Sequence, residues 1–288
     1  MKVKETATIV SQNRISDGIY DMVLQAPGIS GEAVPGQFVN VFLNDKSRLL
    51  PRPISLCGID ADRQTIRLVY RVSGAGTDEM AQMSAGEKLE ILGPLGNGFP
   101  LEEAAGKRVF LIGGGIGVPP LLETAKVFSE SAALDEEQSD VIEDEQRVSE
   151  KSDGVNAKIR DTEVISVIGY RSDCFLKSEF DRYGDTIIAT EDGSVGTRGN
   201  VMDAIRADGR KPEVIFACGP LPMLRALKGW AEKEQIPCWV SMEERMACGI
   251  GACLACVCRT REIDEHSQVK NTRVCKDGPV FNVMTLDL

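Results

Sequence analysis

The chain concentrates its cysteines near its C-terminal end. Five of the nine lie there, four of them within eleven residues. They are Cys248, Cys253, Cys256, Cys258 and Cys275. The first three follow the spacing C-x4-C-x2-C, which with a more distant cysteine is the ligand pattern of plant-type [2Fe–2S] clusters. Thiolates are soft, charged donors that suit iron, and Gly249 and Gly251 permit a tight loop that aims backbone N–H groups at sulfur. We therefore expect this segment to fold around a metal centre.

Five cysteines compete for four ligand positions in this segment. Cys258 lies two residues after Cys256, and such residues point the same way along a strand. We therefore predict that the ligands are Cys248, Cys253, Cys256 and Cys275, with Cys258 as a neighbouring thiol. A structural zinc site is the first alternative, although zinc usually shows paired C-x2-C units. Free thiols are the second alternative.

Length and charge limit the classes of protein that remain. A chain of 288 residues predicts two or three domains, and its 42% hydrophobic content is typical of globular proteins. The net charge of −11 repels phosphate backbones and anionic lipids, so we expect no nucleic-acid partner and no membrane partner. The apolar run 109–122 is too short to cross a bilayer, and the first ten residues do not resemble a signal peptide. These features predict a cytoplasmic protein.

The region 1–101 is rich in short β-type segments. TATIV, GIYDMVLQA and QTIRLVYRV are three of them, and Pro27-Gly28 and Pro35-Gly36 favour tight connections between such segments. This spacing predicts a small antiparallel β-barrel.

The region 102–235 alternates apolar strands with helices, which predicts a Rossmann-like parallel sheet. An acidic insertion at about 129–163 carries most of the net negative charge, and we interpret it as a surface segment without assigned chemistry. The cysteine-rich region 236–288 then forms the third predicted domain. The predicted fold class is thus a multidomain β then α/β chain with a small C-terminal cluster domain.

Two glycine- or proline-containing turns follow strands of the predicted parallel sheet. The first turn, in GGGIGVPP, has Gly113, Gly115 and Gly117 before a helix that begins near Pro119, and this layout suits a pyrophosphate. Its spacing differs from G-x-G-x-x-G, so an ordinary tight turn is the alternative. The second turn is Cys218, Gly219 and Pro220. Both turns should lie at the ligand-binding edge of the sheet, with a nicotinamide near Cys218; a small buried thiol is the alternative there.

The β-rich region contains candidate flavin contacts. Arg52, Pro53, Ile54 and Ser55 place a guanidinium near a hydroxyl on one strand, and Val69, Tyr70 and Arg71 end another. Ordinary strand packing is the alternative for these residues. Gly76 and Thr77 follow, and we expect Thr77 to be the N-cap of a short helix that offers an anion site.

Taken together, RPIS, YRV, GAGT, GGGIGVPP, CGP and CGIGACLAC resemble the electron-transfer subunits of type B dihydroorotate dehydrogenases, within the ferredoxin reductase superfamily. The likeness extends over nearly the whole chain. The most specific part is EERMACGIGACLACVC with the later VCKDGPVF. The acidic insertion and Cys258 depart from the family pattern.

The resemblance implies FAD at the flavin contacts named above, a [2Fe–2S] cluster on the four predicted ligands, and NAD as a mobile substrate. It also implies a relay in pyrimidine biosynthesis. Electrons from dihydroorotate would reduce FMN on a separate catalytic subunit, pass through the cluster to FAD, and leave to NAD⁺. The expected assembly is a heterotetramer of two plus two subunits, with the dihydroorotate site on the partner.

Two other functions compete with this interpretation. The first is the reductase subunit of a sulfide dehydrogenase or ferredoxin:NADP oxidoreductase complex, whose similar subunits are expected to have aspartate where this chain has Cys248. The second is a zinc-stabilised binding module without redox chemistry, which leaves RPIS and GGGIGVPP unexplained.

Overall fold

The computed structural model describes residues 2–45, 47–133, 161–263 and 268–288. Residues 134–160, most of the predicted acidic insertion, lie outside the described residues. None of the described helices is long and apolar enough to cross a membrane.

The first part of the chain forms a closed barrel of six antiparallel strands, ordered β1-β2-β5-β4-β3-β6. The strands are β1 (Val3–Ser16), β2 (Ile19–Gln25), β3 (Phe38–Phe42), β4 (Arg52–Asp60), β5 (Thr65–Arg71) and β6 (Lys88–Leu95). Alternating residues such as Met22, Leu24 and Leu68 fill the interior, as the period of two requires. Two short helices, α1 (Pro27–Ser30) and α2 (Ala75–Gln82), accompany the barrel. The predicted barrel is confirmed.

The second part forms a seven-stranded sheet in the order β10-β9-β8-β7-β11-β12-β15. Its strands are β7 (Arg108–Gly114), β8 (Glu163–Tyr170), β9 (Asp185–Thr190), β10 (Thr197–Arg198), β11 (Val214–Cys218), β12 (Cys238–Ser241) and β15 (Val280–Asn282). All neighbouring strands pair in parallel except β15, which runs antiparallel to β12. The accompanying helices are α3 (Leu122–Ala133), α4 (Lys177–Phe180), α5 (Val201–Asp208) and α6 (Leu221–Glu234).

The central strands of this sheet are apolar on both faces. All five residues of β11 are buried, and β7 is buried from Val109 onward, because helices cover both sides of the sheet. The predicted Rossmann-like sheet is therefore confirmed.

The cysteine-rich region is attached to this sheet by backbone hydrogen bonds. It contains a two-stranded ribbon, β13 (Val257–Arg259) and β14 (Asn271–Arg273), and then β15 at the sheet edge. β12 also lies in the sheet, so the sheet continues across the predicted boundary between residues 235 and 236. The three domain limits stay predictions.

Charged side chains connect the barrel to the sheet. Arg67 of β5 bonds Asp21 of β2 and also reaches Glu179 of α4, with an Nη2 to Oε1 distance of 2.9 Å. On the same side, Glu123 of α3 accepts the Ile59 N–H at 2.9 Å. These contacts hold the two parts in one orientation and shape the cavity between them.

Candidate functional site

A cavity of about 950 Å³ lies where the barrel, the sheet and the cysteine-rich region meet. The barrel lines it with Arg52, Pro53, Ile54, Ser55, Val69, Tyr70, Arg71 and Thr77, and the sheet and cysteine-rich region add Ile116, Pro120, Met242, Glu243, Glu244, Arg245, Met246 and Pro279. Eight of the nine predicted flavin contacts therefore share one cavity. The ninth, Gly76, lies directly behind Arg52.

Arg52 is held at the cavity wall by its neighbours. Its Nη1 donates to the Leu50 carbonyl at 2.6 Å, and a Cβ at Gly76 would overlap its guanidinium. Glycine at this position thus leaves room for the Arg52 side chain beside the start of α2. The geometry presents a fixed cation to the cavity.

Thr77 does not cap α2 as expected. The N-cap is Gly74, and Thr77 is the third residue inside the helix, where its Oγ1 accepts the Ser73 N–H at 2.9 Å. The expectation was wrong because the sequence GAGT lets the helix begin three residues earlier, at Ala75 instead of Asp78. Thr77 still lines the cavity, but its hydroxyl is already engaged with the backbone of the helix start.

Tyr70 serves both the cavity and the barrel interior. Its ring stacks on Tyr20 at a centroid distance of 6.0 Å, and its hydroxyl bonds Gln12 Oε1 at 3.2 Å. Burial raises the pKa of this phenol far above its ordinary value, so it stays protonated. The alternative of ordinary strand packing thus holds for most of the Tyr70 ring, whereas its edge lines the cavity.

Glu243 is a cavity residue that the motif search missed. Its side chain is open to the cavity, and the cavity itself is surrounded by protein. The surrounding protein removes water from the carboxyl and raises its pKa, while the charge of Arg71 acts in the opposite direction. The available signal was its position two residues after β12, at the carboxyl edge of a parallel sheet, where ligands bind.

The two predicted turns lie side by side at that same edge. Gly113 of β7 is in register with Cys218 of β11, and a Cβ at Gly117 would overlap the Cys218 carbonyl. Gly115 has φ +56 and Gly219 has φ +159, values that favour glycine. A Cβ at Gly115 would lie 3.7 Å from Arg71 Nη2, so the first turn reaches toward the cavity.

The Cys218 thiol is fully buried. Burial raises its pKa well above the ordinary value, and the charge of Glu243 adds to this, so the thiol is protonated and not a nucleophile. Pro220 starts α6 as its N-cap.

The cysteine loop turns backbone N–H groups toward sulfur, as predicted. Cys248 Sγ accepts from Ala252 N at 3.3 Å and from Ile250 N at 3.5 Å, and Cys275 Sγ accepts from Gly251 N at 3.1 Å. Gly249 and Gly251 have φ +68 and +84. Burial of Cys248 works against its ionisation, but hydrogen bonds from Ile250, Cys253 and Ala252 outweigh it and lower the pKa to about 6. This loop stabilises negative sulfur.

The four predicted ligands, all free thiols, interact in two pairs. The Cys248 thiol is hydrogen-bonded with that of Cys253, and the Cys275 thiol with that of Cys256, whose sulfur also accepts the Cys275 N–H at 3.4 Å. Within the described part of the chain, no group of three or more His, Cys, Asp or Glu side chains surrounds a single ion position. The thiolate donor chemistry and the N–H groups directed at sulfur fit an anionic cluster.

Cys258 is buried in the same core cluster as two of those four, Cys256 and Cys275. It lies in β13 and is 8% exposed. Burial raises its pKa to about 11, with a further contribution from the charge of Glu244. Its environment is that of a small apolar side chain.

Comparisons with known proteins address the identity of the chain. Residues 243–287 match the iron–sulfur cluster binding domain of dihydroorotate dehydrogenase B. The dihydroorotate dehydrogenase B (NAD(+)) electron transfer subunit of Bacillus caldolyticus is 41% identical over 283 residues, 96% of each chain. The chain belongs to the family of dihydroorotate dehydrogenase B electron transfer subunits. The subunit of the same name from Bacillus cereus (strain B4264) is 40% identical over 287 residues, 98% of each chain.

Solved structures place this dihydroorotate dehydrogenase B family member among the ferredoxin reductase-like folds. An NADH-dependent reduced ferredoxin-NADP oxidoreductase aligns with a TM-score of 0.77 at 25% identity, over 98% of this chain and 89% of the other. The cytochrome P450 reductase GcoB of Amycolatopsis aligns with a TM-score of 0.61 at 19% identity, over 82% of this chain and 68% of the other.

These findings confirm several expectations for the dihydroorotate dehydrogenase B family member. The family, the fold class and the role as an electron-transferring oxidoreductase subunit are confirmed. FAD, a [2Fe–2S] cluster and NAD are the cofactors that the family and fold support. The assignment of individual residues to those cofactors stays a prediction.

Proposed function

We propose that this chain carries electrons from the FMN of a dihydroorotate dehydrogenase catalytic subunit, through a [2Fe–2S] cluster and FAD, to NAD⁺. The reaction belongs to pyrimidine biosynthesis, and the dihydroorotate site lies on the partner. Relatives about 40% identical over nearly the full length carry the name of this electron transfer subunit, which supports the proposal.

The observation that carries the proposal is the three-sided cavity. The barrel provides Arg52, the sheet provides Ile116, and the cysteine-rich region provides the stretch 242–246, which ends two residues before Cys248. A flavin held here would lie between the residues of the first nucleotide turn and the stretch that leads into the cysteine loop. A chain built to pass electrons between two carriers needs this adjacency.

The FAD contacts are proposed to come from residues of the barrel. Arg52 offers a fixed cation, and Ser55 a hydroxyl, to FAD, with Val69, Tyr70 and Arg71 along the cavity. Pro53, Ile54, Gly76 and Thr77 complete the predicted FAD contacts. Bound FAD supplies the chemistry that links two-electron hydride transfer to one-electron transfer.

For NAD, Gly113, Gly115 and Gly117 form the end of β7 and the turn after it, at the sheet edge beside a helix start, and Cys218, Gly219 and Pro220 form the neighbouring turn. Because the Cys218 thiol is buried and protonated, it shapes this edge without adding charge.

For the cluster, Cys248, Cys253, Cys256 and Cys275 provide four thiolates. The backbone N–H groups of residues 250–252 direct positive dipoles at the sulfurs and so favour the reduced, more negative state.

The partner is proposed to dock on the exposed side of the cysteine loop. Cys253 is exposed, and the large apolar side chains of Ile250 and Leu254 in the same loop are 45% and 61% exposed. Electrons that leave an FMN subunit must reach the cluster over a short distance, and this face of the loop is open to a partner. A heterotetramer of two plus two subunits is the proposed assembly.

Anaerobic co-expression with a candidate FMN-containing catalytic subunit tests the proposal. We expect a complex with equal numbers of the two subunits, FAD, FMN and about two irons per copy of this chain. It should reduce NAD⁺ with dihydroorotate, and the matched Cys248→Ser complex should lose iron and this activity.

Other outcomes identify other functions. A flavin and iron protein that ignores the partner and reduces ferredoxin with NADPH would favour a ferredoxin:NADP oxidoreductase subunit, the class suggested by the 25% identical structure. A colourless zinc protein would contradict both redox functions.

A further inference from the structure

The middle of strand β3 contains a buried polar side chain. Asn40 is fully buried, although its strand neighbours Val39 and Val41 face the apolar barrel interior and Asn40 therefore points to the outer face of the barrel. Burying an amide is unfavourable unless it is hydrogen-bonded. A partner for this amide should therefore lie on the elements that pack against the outside of the barrel.

The Asn40 amide is bonded to the cysteine loop. Its Nδ2 donates to the carbonyl oxygen of Cys248 at 3.2 Å, across a sequence separation of 208 residues, while its Oδ1 has no partner. The contact is close, because a Cβ at Gly249 would overlap the amide of Asn40. Gly249 also has φ +68, so both the turn and the close approach require glycine.

Asn40 also borders the wall of the flavin cavity. It is in register with Pro53 of β4, and Phe38 lies two residues earlier on the same strand; both line the cavity. One side chain thus bridges the cavity wall and the backbone of the first predicted cluster ligand. The carbonyl of Cys248 and the N–H of Gly249 belong to one planar peptide, so fixing the carbonyl also fixes that N–H.

We infer that Asn40 is a positioning residue for electron transfer, whose amide fixes the Cys248 turn against the flavin barrel and thereby sets the cluster environment and its separation from FAD. The inference rests on the proposed function. Without this hydrogen bond the loop keeps its four cysteines, but the orientation of the peptide after Cys248 is no longer determined by the barrel. The cluster should still assemble, with altered magnetic and redox properties.

The experiment compares two isosteric substitutions in the complete complex with its partner. Asn40→Leu removes the amide at the cysteine loop. Asn44→Leu, the control, removes an amide that donates to the Lys88 carbonyl at the same 3.2 Å distance, at an exposed place in the same barrel. The readouts are iron and FAD content, the electron paramagnetic resonance spectrum of the reduced cluster, its midpoint potential, and the rate of electron transfer between cluster and flavin.

We expect Asn40→Leu to keep its iron and FAD, to change the resonance spectrum and shift the midpoint potential, and to slow cluster–flavin electron transfer several-fold. Asn44→Leu should match the wild type in all of these. A wild-type spectrum, potential and rate in Asn40→Leu would overturn the inference.

Gly249→Ala provides a second measurement if Asn40→Leu does not fold. Its new methyl group displaces the loop from Asn40 while the barrel sequence is unchanged. Gly249→Ala should also change the resonance spectrum and the midpoint potential. The double variant Gly249→Ala/Asn40→Ala should partly restore both, because the smaller alanine at 40 no longer overlaps the new methyl group at 249. Independent, additive effects of the two substitutions would contradict the inference. A wild-type complex without iron or flavin would instead contradict the proposed function itself.

Discussion

Gly117 lies so close to Cys218 that a methyl group on it would be less than 3.0 Å from the Cys218 carbonyl. The two residues belong to the turns after β7 and β11, which are neighbours in the sheet. Their contact brings the two predicted NAD turns together into one surface. A residue larger than glycine at position 117 must push the two turns apart.

Gly117→Ala is therefore expected to weaken NAD binding and to lower stability. The added Cβ meets backbone atoms of Cys218 and Gly219, which cannot move aside as a flexible side chain can. Overpacking of this kind costs about 1–3 kcal/mol. Isothermal titration with NAD⁺ and urea unfolding measure the two effects.

Gly229→Ala is the matched control for that substitution. Gly229 lies within α6, and nothing lies within 4 Å of the position of a new Cβ. We expect unchanged NAD affinity and a gain in stability of up to about 1 kcal/mol from the higher helix propensity of alanine. Equal NAD affinity in both variants would show that the turn contact does not shape the NAD site.

Gly76→Ala should release FAD by displacing Arg52. A Cβ at Gly76 overlaps the Arg52 guanidinium, so the side chain must leave its place at the cavity wall. Losing a charged hydrogen bond to an anionic ligand costs about 1.5–3 kcal/mol, or roughly a tenfold to hundredfold loss of affinity. The flavin retained after gel filtration measures this loss.

Gly31→Ala is the control for Gly76→Ala. Gly31 follows α1 in the same barrel and does not line the cavity, no atom lies within 4 Å of its new Cβ, and its φ is −74. It should retain FAD like the wild type. If Gly76→Ala also retained all of its FAD, Arg52 would not be part of the FAD site.

Cys258→Ala should keep the cluster, whereas Cys275→Ala should lose it. Both thiols are buried in the same core cluster, but Cys275 Sγ accepts the Gly251 N–H of the cysteine loop and its thiol is hydrogen-bonded with that of Cys256. We expect about two irons per chain in Cys258→Ala and a large loss in Cys275→Ala, measured by iron analysis and visible spectra. Iron loss in both variants, with intact folding by circular dichroism, would make Cys258 a ligand.

Glu123 should make stability depend on pH. Its carboxyl is 5% exposed, and burial raises its pKa against the opposing effects of the Ile59 N–H and Lys126. A pKa that is raised in the folded state adds stability below the ordinary glutamate range, and this stability is lost as pH rises through the raised value. Relative to Glu123→Gln, the wild type should thus lose stability as pH rises from the ordinary glutamate range through the raised pKa of Glu123.

Urea unfolding of the two proteins across this range measures the difference. A stability difference between wild type and Glu123→Gln that is constant with pH, or that favours the wild type at higher pH, would contradict the prediction.

The sequence was informative wherever a short pattern carries its own chemistry. The spacing of the cysteines from Cys248 to Cys256 predicted the type of cluster. The short β-type segments predicted the barrel, and the alternation of strands and helices predicted the parallel sheet. It was less informative about Thr77, because three residues that belong to α2 were predicted to precede it. Helix starts depend on a few hydrogen bonds that several registers of the same sequence can make.

The amino-acid sequence by itself thus determined the fold class, the four candidate thiolates and the glycine turns, because period, donor type and backbone freedom are local properties. Only the tertiary structure decided which distant residues meet. It placed Glu243 in the flavin cavity, Asn40 against Cys248, and Gly117 against Cys218. Such contacts follow from the packing of barrel, sheet and loop on one another, and no pattern within a single segment contains that information.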